Sequence, residues 1–112
     1  MSDVVVMLVT APSPEVADRL ATRVVEARLA ACVAVLPGIR SVYRWQGAVE
    51  QAQEVQLVIK TTRDRVDALG AALLALHPYQ VPEVLVLPVV DGLPAYLDWV
   101  VAETRPLPPE GP

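Results

Sequence analysis

The chain has no phenylalanine, one cysteine, one histidine and one lysine among its 112 residues. Each scarcity removes a class of protein. Without Phe, and with acids outnumbering bases thirteen to nine, neither the stacking sheet of an RNA-recognition domain nor the basic footprint of a nucleic-acid binder is present. One cysteine, Cys32, forms no internal disulfide, and a reducing cytoplasm is its natural home. The apolar run at residues 84–90, like every other in the chain, falls far short of the roughly 18 residues a spanning helix needs. Asp3 stands where a secretory leader carries basic residues. Walker, G-x-G-x-x-G, H-E-x-x-H and C-x-x-C motifs are missing. No nucleophile–base pair can be read, so no enzyme is expected.

What is abundant is apolar surface. Hydrophobic residues make up 54% of the chain and charged ones 20%. A chain this short buries only about 65% of its unfolded surface. An apolar face is therefore left over for a partner, most simply another copy of the chain.

Residues 4–10 form a β-branched run that reads as a buried strand. Ser13-Pro14-Glu15 opens a helix, with Ser13 as cap and Pro14 in the first turn. Val16, Leu20 and Val24 share one face of it. Residues 31–36 and 39–45 read as one strand interrupted at Pro37-Gly38 by a bend or bulge. Gln46-Gly47 turns a hairpin into a long strand over residues 49–61. Thr61 or Thr62 then caps a second helix, stopped by Pro78. Residues 81–90 hold a further strand, Asp91-Gly92 a turn, and Pro94 starts a last helix.

This order is β-α-β-β-α-β plus a terminal helix. It predicts an α+β, ferredoxin-like antiparallel sheet with two helices on one face and a long β2-β3 hairpin. Residues 1–104 make one domain. Residues 105–112, with four prolines, make a disordered tail. A compact domain of this size spans roughly 34 Å, whereas twelve extended residues run about 40 Å. The hairpin tip should therefore project, and its unpaired edges call for cover by another subunit.

A series of words runs in order along the chain. Thr10-Ala11-Pro12 follows the first strand, and Leu29-Ala30-Ala31-Cys32-Val33 opens the second. Tyr43-Arg44-Trp45-Gln46-Gly47 fills the hairpin, and Glu54 precedes Lys60-Thr61-Thr62. Leu76-His77-Pro78-Tyr79-Gln80-Val81-Pro82-Glu83 and Pro94-Ala95-Tyr96-Leu97-Asp98-Trp99 complete the series. Over about residues 4–103 the chain resembles the divalent-cation tolerance family, CutA. The resemblance implies a homotrimer, with strands of neighbouring subunits paired. It also implies a link to copper and other divalent metals.

His77 reads either as a metal ligand or as a helix-end residue bonding the last carbonyls. Cys32 reads as a soft ligand or as a packed, inert thiol with nothing basic beside it. With Glu83 these make the candidate metal set. Some relatives carry cysteine and histidine where this chain has Val9 and Leu76, which removes two donors. Lys60 is either an exposed edge lysine or an anion-binding group between subunits. Trp45, Lys60 and Tyr79 are candidates for an intersubunit pocket, and Tyr43 and Trp45 for interface anchors. The function expected is that of a cytoplasmic, trimeric protein binding divalent metal, chiefly copper, in metal tolerance. The alternative is a trimeric small-molecule sensor with ligand pockets at its subunit clefts.

Overall fold

The computed structural model describes residues 3–107. In chain order it runs β1 (Val4–Ala11), α1 (Pro14–Glu26), β2 (Cys32–Trp45), β3 (Ala48–Thr62), a 3-10 turn (Arg63–Arg65), α2 (Val66–Leu76), β4 (Val84–Pro88) and α3 (Pro94–Glu103). The strands form one sheet in the order β2-β3-β1-β4, and every neighbouring pair is antiparallel. This is the expected ferredoxin-like plan.

Alternation along the strands sorts the residues between two faces. Met7, Val9, Leu57 and Ile59 bury one face against Leu20 and Val24 of α1 and Leu69 and Leu73 of α2. The intervening Val6, Leu8 and Val58 turn to the other face and are only half-buried. Leu85 and Leu87 of β4 stand opposite Leu8 and Val6, so they join that second face, about half exposed. One end of it is closed by α3, whose Val100 is buried with Val4 and Ala31.

Local chemistry accounts for the boundaries. The Ser13 hydroxyl accepts the Val16 N–H at 3.2 Å, with Pro14 in the first turn of α1. Gln46 and Gly47 have φ of 50° and 82°, the paired positive φ that matches a two-residue turn to strand twist. Leu36 faces Gln56 while Ile39 faces Glu54, so β2 carries one extra residue at Pro37-Gly38. Gly38 takes the left-handed conformation this bulge needs, at φ 78°. The inserted residue switches the parity of β2. Cys32 and Leu36 share a face with Lys60 and Gln56; beyond the bulge, Ser41, Tyr43 and Trp45 take over that face. The hairpin projects as expected. The molecule measures 54 × 36 × 22 Å with a radius of gyration of 15.3 Å, above the roughly 13 Å of a compact domain this size.

Several local expectations are corrected. Neither threonine caps α2. Thr61 donates to the Leu29 carbonyl and Thr62 to the Asp64 carboxylate, and a 3-10 turn leads into the helix instead. The strand expected over residues 81–90 is confined to Val84–Pro88; Pro82 has no N–H to give a ladder. Asp91-Gly92 lies in irregular chain, not a turn. Lys60 is on no edge, because β3 lies inside the sheet between β2 and β1. Arg105, assigned to the loose tail, is fastened by hydrogen bonds to Thr62 and Asp64. Residues 108–112 of that tail lie outside the described residues.

Candidate functional site

The base of the projecting hairpin is where polar chemistry gathers. Glu54 lies on the face of β3 away from α1 and α2, one position before the buried Val55. Its own exposure is 8%. The Tyr79 hydroxyl donates to its Oε2 at 3.1 Å. Burial first, and then the hydrogen bond and charge of Glu54, push the Tyr79 phenol up to about 12. At neutral pH the phenol is therefore a donor, fixed on the carboxylate.

His77 ends α2 and holds Tyr79 in place. Its Nε2 stands 2.7 Å from the Thr10 carbonyl, and its Nδ1 accepts the Tyr79 N–H at 3.0 Å. A carbonyl only accepts, so Nε2 carries the proton and donates. Both ring nitrogens are thereby used, and the ring is 8% exposed. The two rings also touch, with centroids 4.8 Å apart. The Gln56 amide donates to the Val9 carbonyl at 2.9 Å and reaches Glu83 Oε2 at 3.3 Å. This ties the connector before β4 to the centre of the sheet.

Glu54, Tyr79 and Glu83 border a groove of about 880 Å³. Ser41, Tyr43 and Trp45 form its hairpin wall; Tyr79, Pro82 and Glu83 form the connector wall; Thr10 and Glu54 lie between. Its charged side chains are acidic, Glu54 and Glu83. Arg40 and Arg44 of the hairpin are exposed and do not line the groove.

Of the residues singled out from the sequence, the structure brings Tyr43, Trp45, Tyr79 and Glu83 to one groove, with His77 bonded behind Tyr79. It separates Lys60 and Cys32 from them. Lys60 lies six residues beyond Glu54 on β3, roughly 20 Å at 3.3 Å per residue. It faces Cys32 across the β2-β3 pair, with Nζ 4.0 Å from Sγ. Cys32 thus does have a basic neighbour, which sequence adjacency could not reveal, and it is half-buried. Among the described residues, no three His, Cys, Asp or Glu side chains are grouped to hold a metal. Glu54, Thr10 and Gln56 were not among the site residues singled out from the sequence. The available signal was an acid and a glutamine alternating with Val55 and Leu57 on a central strand.

The profile of the CutA1 divalent ion tolerance protein family matches residues 5–103. The divalent-cation tolerance protein CutA of Thermus thermophilus is 50% identical over 99 residues, covering 88% of this chain and 96% of that protein. The protein of the same description from Pectobacterium atrosepticum is 50% identical over 105 residues, covering 94% and 96%. Among solved structures, CutA from Xylella fastidiosa superposes with a TM-score of 0.91 at 46% identity, covering 93% of this chain and all of that one. The periplasmic divalent cation tolerance protein CutA of Archaeoglobus fulgidus gives 0.89 at 34% identity, covering 91% and 99%.

Proposed function

The chain belongs to the CutA1 divalent ion tolerance family, and from that premise we propose that it is a cytoplasmic, homotrimeric binding protein, not an enzyme, that handles divalent cations, chiefly copper. The open sheet face of Val6, Leu8, Val58, Leu85 and Leu87, with edge strands β2 and β4 on either side, supports self-association. Trp45 and Tyr43, 48% and 42% exposed, are the aromatic anchors for it.

The observation that carries a binding role is the groove, with Glu54 and Glu83 facing it and no basic side chain of the same protomer on its wall. A divalent metal there would take carboxylate oxygens first. His77 would join only by giving up Thr10 or Tyr79, and Cys32 only from another subunit. Copper(II) favours imidazole donors, so one protomer offers an incomplete set, and the metal reading depends on assembly. The test is a Cu(II) titration of tag-free protein beside Glu83→Gln and His77→Ala, with metal counted per subunit. Stoichiometric binding lost in Glu83→Gln supports the site. Weak binding unchanged by either substitution overturns it.

The engagement of both His77 nitrogens, beside an aromatic-walled groove, favours a second reading. The groove is the pocket of a small-molecule sensor, and metal tolerance is its downstream effect. A thermal-shift screen of nucleotides and metabolites checks this, since a ligand that binds the folded state raises the melting temperature.

A further inference from the structure

We propose that the groove takes an organic cation, an ammonium or guanidinium group held between aromatic walls and the carboxylates of Glu54 and Glu83. The proposal rests on the small-molecule reading of the groove and specifies its ligand class. Glu54 is more than nine-tenths buried, yet its one hydrogen bond among the described residues comes from the neutral Tyr79 hydroxyl. A carboxylate offers about four acceptor sites, and a buried one without a cation is costly. The ion pairs among the described residues are Arg28–Glu103 and Arg105–Asp64, both at the α3 end. Neither Glu54 nor Glu83 has a cationic partner among the described residues.

The walls have the matching chemistry. Tyr43, Trp45 and Tyr79 line the same groove, and aromatic faces attract cations, Trp most strongly. Tyr79 cannot wander, because His77 holds its backbone and Glu54 its hydroxyl. Glu83 is steadied by the Gln56 amide. A planar guanidinium can lie against a ring and still present a fork of donors to a carboxylate. An anion would meet two like charges instead, and a neutral molecule would leave Glu54 uncompensated.

The experiment uses the full chain in its native assembly, with Trp45 fluorescence as readout in a Trp99→Phe background. The probes are butylguanidinium, its neutral isostere butylurea, and butyrate. The expected result is a dissociation constant for butylguanidinium at least tenfold below that for butylurea, with no butyrate binding. Glu54→Gln should abolish that preference without lowering the melting temperature, since the glutamine oxygen still accepts from Tyr79. Glu83→Gln is the second variant and should reduce the preference. Equal affinity for guanidinium and urea overturns the cation class and leaves the groove as a ligand site. Failure of all three probes overturns the ligand class, and the small-molecule reading falls only if the metabolite screen is also blank. Weakened self-association in Glu54→Gln without cation preference also overturns the proposal, and assigns a second copy's basic side chain as the missing cation.

Discussion

The two ends of the sheet handle charge in opposite ways. At the α3 end, Arg105 and Arg28 find acceptors within the chain. Arg105 donates to both Asp64 oxygens, to the Thr62 hydroxyl and to the Val101 carbonyl. Arg28, in the left-handed conformation at φ 59°, donates to the carbonyls of Ala102 and Arg105. It thus serves the negative end of α3, where cations are favoured. At the hairpin end, two carboxylates and three aromatic rings border an open groove with no base among them. Polar chemistry that is satisfied internally holds the fold together, and chemistry left unpaired is where a ligand or a neighbour enters.

The sharpest test of that contrast is assembly. Trp45→Ala should weaken self-association by about 2 kcal/mol or more, as loss of a central aromatic anchor does. Arg105→Ala should leave it unchanged. Sedimentation at several concentrations reads both, and equal behaviour would erase the distinction between the ends.

His77→Ala should cost about 2–3 kcal/mol of stability in urea unfolding, because two buried bonds and a ring are lost together. A ligand residue with no structural role would leave the urea midpoint in place. Tyr79→Phe is milder, about 1 kcal/mol for one hydroxyl. The Tyr79 pKa is raised in the folded state, so its contribution is fully present below the unfolded value of about 10. It is lost as pH rises from there through about 12. Absorbance at alkaline pH should show one phenol ionising near 12 in the parent and absent in Tyr79→Phe.

The smallest effect belongs to Asp64. The Arg105 guanidinium first, and then the Thr62 hydroxyl, hold its carboxyl well below the usual carboxylate range. A depressed folded pKa gives stability that is present above the unfolded value of about 3.9 and lost as pH falls below it. Both partners are exposed, 42% for Arg105 and 58% for Asp64, so Asp64→Asn should cost at most about 1 kcal/mol at neutral pH. The difference from the parent should shrink below about pH 4 and with added salt.

The elements themselves were legible because their signals are local. Ser13 caps the helix it precedes, Gln46-Gly47 turns the strands it joins, and Pro37-Gly38 makes the bulge its residues favour. Two grooved aromatics were legible for the same reason, since Tyr43 and Trp45 alternate on a projecting strand. The partnership of Lys60 with Cys32 was not, because it depends on register across strands 28 residues apart in sequence. The engagement of His77 was hidden likewise. Its decisive partner is the carbonyl of Thr10, 67 residues away, and a backbone carbonyl leaves no mark in the sequence.

The sequence by itself determined the order of elements, the length of the hairpin and the family, because periodicity, turn chemistry and motif spacing are read residue by residue. Only the tertiary structure decided which charges are paired. It placed Lys60 about 20 Å from Glu54 along β3, locked His77 behind Tyr79, and left Glu54 buried with no basic partner among the described residues. Pairing depends on distances between residues far apart along the chain, and those distances exist only once the sheet has its register.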